Sequence, residues 1–268
     1  MTEPVLAHRC EGEGGGGRLP LLLLNGGFMS IGSWEPCAAP LAERLPLVRC
    51  DFRGQLLTAG PAHRELSGNV DDVVGLLDQL GLDRVHVLGT SFGGLVGLLL
   101  AARRPERVAS LIAVTVSDHA AEDNRQGARD LRPVVADILA GGERGSFHDA
   151  LVESVYSATY LAANAARLRT RRQQLGGFPA SWFAALDDLL AAVACFDLRP
   201  ELPHIRCPVL VVVAGDDRVM APEAGRAVAA AIPHARLAEH PTSGHALVAE
   251  QPAWLVEQTL TFLEDLSS

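Results

Sequence analysis

Lysine is absent: all 23 basic residues are arginine. A chain without lysine has no Schiff-base amine for a pyridoxal cofactor or an aldolase reaction. It also lacks the phosphate-cradling lysine of a Walker-type nucleotide site. Cysteine is sparse, and Cys10, Cys37, Cys50, Cys195 and Cys207 are odd in number with no C-x-x-C pair. That pattern argues against a disulfide framework or a cysteine zinc site and suits a reducing cytoplasm. No H-E-x-x-H or comparable ligand spacing occurs, so no metal is expected. Met1-Thr2-Glu3-Pro4 has neither the basic start nor the apolar stretch of a signal peptide. No apolar run reaches the roughly 18 residues of a membrane span. Positive charge is in deficit, with a formal net charge of −9, which works against nucleic acid or an anionic membrane as the main partner. What is present is 268 residues, 48% of them hydrophobic. That suffices for one large core, an α/β domain with a modest insertion.

Residues 5–24 read as a hairpin, two strands joined by the glycine run Gly14 to Gly17. Leu21 to Leu24 belong to a continuous apolar run, which suits a strand buried on both faces of a parallel sheet. A second apolar segment, 45–50, leads to Asp51 and Arg53-Gly54. Asn69 then reads as the N-cap of a helix with Val70, Val73, Val74, Leu77 and Leu80 on one face, ended by Gly81. Residues 84–89 form a strand, 93–104 a helix and 109–116 another strand. This alternation is that of a doubly wound, parallel α/β sheet. From 119 to 206 the strand signals stop, and helices are expected at 130–140, 146–157, 159–175 and 181–195. A strand resumes at 208–214, followed by a helix at 221–231, a strand at 235–239 and a last helix at 252–263.

Gly89-Thr90-Ser91-Phe92-Gly93 satisfies G-x-S-x-G directly between a strand and a helix. In that setting a sharp turn projects the serine hydroxyl above the carboxyl edge of the sheet. The bland reading is a glycine-rich turn holding a phosphate at a helix N-terminus, but no dinucleotide fingerprint accompanies it. A serine nucleophile needs a base. His245, on the loop between the last strand and the last helix, would lie at the same edge, whereas His86 sits inside a strand. The base needs an acid. Gly215-Asp216-Asp217 follows the 208–214 strand, so either aspartate is a candidate. The chain order Ser91, Asp217, His245 matches a known triad order. An oxyanion needs backbone donors. Phe92 N–H is one, and the glycine loop Asn25-Gly26-Gly27-Phe28 supplies the other, at Gly27.

At this point the chain resembles the α/β-hydrolase superfamily, in its cap-bearing carboxylesterase and enol-lactonase-like branch. The resemblance rests on Leu24-Asn25-Gly26-Gly27, Asp51-Phe52-Arg53-Gly54, Gly89-Thr90-Ser91-Phe92-Gly93-Gly94, Gly215-Asp216-Asp217 and Ser243-Gly244-His245. It covers 19–118 and 207–266. It implies a mostly parallel central sheet flanked by helices, with a helical cap inserted before the acid-bearing strand. The core would be 1–118 and 207–268, and the cap 119–206. It also implies ester hydrolysis through an acyl-enzyme, with no cofactor. The chain departs from the family pattern in three places. Asn25 stands where His is usual, as in enol-lactonase-like members. Leu56 replaces a usual glycine, and Arg218 occupies a common position of the acid; the resemblance therefore implies Asp217, nearest that position, with Asp118 after the preceding strand an alternative used by some relatives.

Phe28, Trp34 and Trp182 are the candidate substrate contacts, with Phe147, Tyr156, Tyr160, Phe183 and Phe196 adding apolar lining, although aromatics at helical spacing are more often plain core. Arg167, Arg169, Arg171 and Arg172 form either a solvated helix face or a guide for an anionic acyl group. The expected partner is a small-molecule ester, and a homodimer is compatible with the sequence. Other readings are a lactonase or acyl-transfer enzyme, a ligand-sensing pseudo-hydrolase, and a non-catalytic nucleotide-binding domain.

Overall fold

The computed structural model describes residues 6–12 and 18–266; the glycine run Gly14 to Gly17 lies outside them. Among the described residues, seven strands make one sheet: β1 (His8–Glu11), β2 (Leu21–Leu24), β3 (Leu47–Cys50), β4 (Val85–Thr90), β5 (Val108–Val114), β6 (Val209–Ala214) and β7 (Arg236–His240). Their spatial order is β1-β3-β2-β4-β5-β6-β7. Every neighbouring pair is parallel except β1 with β3. The expected hairpin is therefore corrected. β1 runs antiparallel to β3, with His8 opposite Cys50, while β2 lies between β3 and β4. Both hydrogen-bonding sides of β2 are filled by parallel partners, and all four of its leucines are buried. β1 carries Arg9 and Glu11, residues suited to an edge.

Alternate side chains of the central strands feed two cores. Leu22, Leu24, Val87, Leu111 and Val211 face one side, covered by α2 (Leu66–Gln79), α3 (Phe92–Arg103) and α9 (Pro222–Ala231). Leu21, Leu23, Leu88, Ile112 and Val212 face the other, covered by α1 (Glu35–Ala42), α10 (Leu247–Glu250) and α11 (Pro252–Asp265). Burying each such leucine contributes roughly 1.5–3 kcal/mol, so this double-sided packing is what fixes the strand ends that carry the site.

Asn69 is not a cap. α2 starts a turn earlier, because Leu66 joins Val70 and Val73 on the buried face, and Asn69 Nδ2 donates to the Glu65 carbonyl at 3.2 Å within the helix. Gly81 follows α2 at φ 66°, where a side chain would be strained. Between β5 and β6 stand five helices, not four: α4 (Glu122–Leu139), α5 (Gly145–Val155), α6 (Ala158–Ala163), α7 (Ala165–Gly176) and α8 (Ala180–Val193). The expected 159–175 helix breaks at Asn164, whose side-chain amide bonds back to the Tyr160 carbonyl. These helices share their own apolar cluster around Phe147, Trp182, Phe183 and Leu186. No helix among the described residues is long and apolar enough to cross a membrane.

Candidate active site

Ser91 sits between β4 and α3 at φ 51°, ψ −121°, a conformation that L-residues rarely adopt. The strain persists because the surroundings over-determine it. Ser91 N–H donates to the Val114 carbonyl at 2.8 Å. A Cβ at Gly89 would strike the Gly93 carbonyl, and one at Gly93 would strike the Leu24 carbonyl. The motif glycines are thus a packing requirement of the turn.

His245 Nε2 lies 2.8 Å from Ser91 Oγ, and His245 Nδ1 lies 2.8 Å from Asp217 Oδ2. The Asp217 side chain is 1% exposed and that of His245 10%. The other Asp217 oxygen, Oδ1, accepts from the Val219 and Met220 N–H groups, each at 2.8 Å. A carboxylate only accepts, so Nδ1 donates to Asp217 and Nε2 is left to accept the serine proton. The two other candidate acids point elsewhere. Asp216 pairs with Arg218 at 3.6 Å, and Asp118 pairs with His119 at 2.8 Å. His86 bonds Ser110 Oγ within the sheet; burial, then the nearby Arg84 charge, push its pKa below the ordinary value.

The glycine loop after β2 is held from beneath by a buried polar network. Asn25 Nδ2 donates to Asp51 Oδ1 and Gln55 Oε1, while Trp34 Nε1 donates to Asn25 Oδ1 at 2.8 Å. Asp51 also accepts from the Ile31 and Leu57 N–H groups. Burial raises the Asp51 pKa, and these three hydrogen bonds oppose the rise. Phe92 is the first residue of α3, so its N–H lacks an intrahelical partner.

The helices between β5 and β6 reach this region at several points. A Cβ at Gly27 would lie 2.8 Å from Leu189 Cδ2 of α8. Phe28 meets Phe147 of α5 edge to face at 5.1 Å. Ala246 N–H, beside His245, donates to the Val155 carbonyl at 3.0 Å. Glu250 completes the joint, accepting from Gly244 N–H and Ser157 N–H through Oε1 and from Ser157 Oγ through Oε2. Glu250 and Gln55 were not singled out from the sequence. Their partners lie up to 93 residues away, so no local pattern marks them.

Two expected substrate contacts are corrected. Trp34 is fully buried beneath the sheet edge among Cys37, Leu41 and Leu255, where its indole N–H anchors Asn25. Trp182 is enclosed by Phe147, Phe178 and Phe183. Phe147, Phe183 and Phe196 are likewise core, whereas Phe28, Tyr156 and Tyr160 are half-buried. In the arginine cluster, Arg172 pairs with Glu143 and Asp149, while Arg171 stacks over Phe178 beside a groove of about 570 Å³. Among the described residues, no group of three or more His, Cys, Asp or Glu is arranged to hold a metal ion.

A model of the alpha/beta hydrolase family matches residues 21–258. A protein of Caulobacter sp. (strain K31), named Putative carbamate hydrolase RutD, is 30% identical over 269 residues, covering 98% of this chain and 97% of its own. The enol-lactonase from Burkholderia xenovorans LB400 superposes with a TM-score of 0.85 at 26% identity, over 97% of this chain and 96% of its own. A thermophilic esterase from Thermogutta terrifontis, at 24% identity, shares the fold with a TM-score of 0.85 over 98% and 94% of the two chains. The chain is a hydrolase and belongs to the alpha/beta hydrolase family.

Proposed function

We propose that this hydrolase cleaves small to medium carboxylic esters through an acyl-enzyme, with Ser91 as nucleophile, His245 as base and Asp217 as the orienting acid. The observation that carries the reading is the continuous hydrogen-bonded chain from Ser91 Oγ through His245 to Asp217, with 2.8 Å at both links. In the first half-reaction Ser91 Oγ attacks the acyl carbon while His245 Nε2 takes its proton. Gly27 and Phe92 N–H groups receive the negative oxygen. The imidazolium, stabilised by Asp217, then protonates the leaving alcohol. Water repeats the sequence on the acyl-enzyme and frees the acid.

In this reading the helices of 119–206 are a cap on a core formed by 1–118 and 207–268. Leu189 against Gly27, and Phe28 against Phe147, then narrow the space beside the glycine loop, which favours short acyl chains. The lactone reading is favoured by a separate observation, the 26% identity to a solved enol-lactonase over nearly the whole chain. A lactone is a cyclic ester, so the same residues serve both. A carbamate, the class named for the Caulobacter relative, presents the same carbonyl with nitrogen in conjugation, which makes it less electrophilic.

The test is a panel of p-nitrophenyl acetate, butyrate and hexanoate, a five- and a six-membered lactone, and an aryl carbamate, each run with wild type and Ser91→Ala. The reading expects Ser91-dependent turnover of short esters, and olein emulsions left untouched. Equal rates in wild type and variant, or no turnover of any member, would overturn it.

A further inference from the structure

Gln55 follows the Asp51-to-Gly54 turn and is 4% exposed. Every hydrogen-bonding position of its amide is used. Oε1 accepts from Asn25 Nδ2 and from Phe52 N–H, both at 2.9 Å. Nε2 donates to the Gly26 carbonyl at 2.8 Å and to the Gly27 carbonyl at 3.4 Å. The amide cannot turn over, because a reversed NH₂ would face two donors and a reversed oxygen two carbonyls.

The tether matters because of where it attaches. Two consecutive glycines have more backbone freedom than any other pair. The Gly26 carbonyl and the Gly27 N–H belong to one planar trans peptide and point in opposite directions. Holding the Gly26 oxygen toward Gln55 therefore turns the Gly27 N–H to the opposite side. Met29 N–H also reaches the Gly26 oxygen, at 3.1 Å, but from within the same loop. Gln55 is the side chain that ties that peptide to a separate part of the core, the turn after β3, where its amide also accepts from Phe52 N–H and its own N–H donates to the Phe52 carbonyl.

We infer that Gln55 is a positioning residue that aims the Gly27 N–H at the acyl oxygen of a substrate on Ser91. The inference rests on the assignment of Gly27 as an oxyanion donor in the proposed function. It makes a buried side chain outside the triad control the barrier without touching substrate.

Gln55→Glu separates the two halves of the amide. It keeps an acceptor for Asn25 and Phe52, and only its ionised form sets an oxygen against the Gly26 carbonyl, since a protonated carboxyl still donates there. Gln55→Met keeps the volume and removes both halves. With p-nitrophenyl butyrate, kcat should fall about 10- to 100-fold in Gln55→Met, less than loss of a whole oxyanion donor, while KM moves less than about threefold. The Ki of a boronic acid that forms a tetrahedral adduct on Ser91 should rise in step with the loss in kcat/KM. A merely structural role would lower the melting temperature and leave kcat per folded molecule and the boronate Ki unchanged. That outcome overturns the inference, as does failure of both variants to fold, since Gln55 would then serve the fold. A wild type without Ser91-dependent turnover removes the underlying assignment and this inference with it. An active wild type with an unimpaired Gln55→Met removes this inference alone.

Discussion

Asp217→Asn exchanges one oxygen for an NH₂ group, and the neighbours dictate which one. The Val219 and Met220 N–H groups both point at Oδ1, so the remaining carbonyl oxygen must stay there. The new NH₂ then faces His245 Nδ1, 2.8 Å away in the wild type, and donates to it. The imidazole is forced to carry its proton on Nε2, where it opposes the Ser91 hydroxyl and cannot accept its proton. Volume, packing and both backbone contacts survive, so the melting temperature should change little. Loss of the correct tautomer costs about 10⁴ in kcat in a comparable triad, about 5 kcal/mol of barrier. KM should stay within a few-fold, and the rate of fluorophosphonate labelling should fall in parallel with kcat. Asp216→Asn is the matched control. Its carboxylate is 41% exposed and pairs with Arg218 at 3.6 Å, a surface contact worth about 0–1 kcal/mol. It should retain activity within about tenfold. If Asp217→Asn kept activity within tenfold, or Asp216→Asn fell as far, the reasoning about this loop would be refuted.

Three further outcomes follow from the same contacts. At pH 8 only Cys10 and Cys195, the exposed thiols, should react rapidly with Ellman's reagent. Burial pushes Cys37 up to about 12 and Cys207 up to about 11, and burial followed by the Asp51 charge raises Cys50 as well; a third fast thiol in native protein would contradict this. Trp34→Phe should cost about 1–3 kcal/mol in urea unfolding, because Asn25 Oδ1 loses the indole donor in a buried site; a cost below about 0.5 kcal/mol would count against the network. His86 has a folded pKa below its ordinary 6.5, so as pH falls the unfolded chain takes the proton first. The stability due to the neutral ring is present above 6.5 and lost as pH falls below it. His86→Gln should therefore show a shallower loss of stability between pH 7 and pH 5 than wild type, and an unchanged slope would reject the assignment.

The parts of this molecule that were legible in the sequence are those whose partners are local. Leu21 to Leu24 announce a doubly buried strand, and Gly89 and Gly93 frame Ser91 because the turn itself leaves no room for a Cβ. Elements set by distant partners are less legible. The apparent hairpin failed because β3, not β2, pairs with β1. α1 was missed because Pro36 and Pro40 disguise a helix whose buried face is Cys37, Ala38 and Leu41. Asp216 and Asp217 were inseparable as neighbours in a turn; only the direction in which each leaves the strand distinguishes them. Trp34 and Trp182 resembled pocket walls because an aromatic at helical spacing looks the same whether it faces a ligand or another ring. Gln55 and Glu250 were invisible, since each takes its meaning from residues far along the chain.

The central claim, that Ser91 is the nucleophile, is open to one direct measurement. Because the chain has no lysine, trypsin cuts only after arginine, and Val85 to Arg103 leaves as one peptide whose only hydroxyl residues are Thr90 and Ser91. After treatment of native protein with a fluorophosphonate, mass spectrometry should find one adduct per chain, on Ser91 in that peptide, and none in Ser91→Ala. An adduct on another peptide, or a folded wild type that stays unlabelled, would contradict the account.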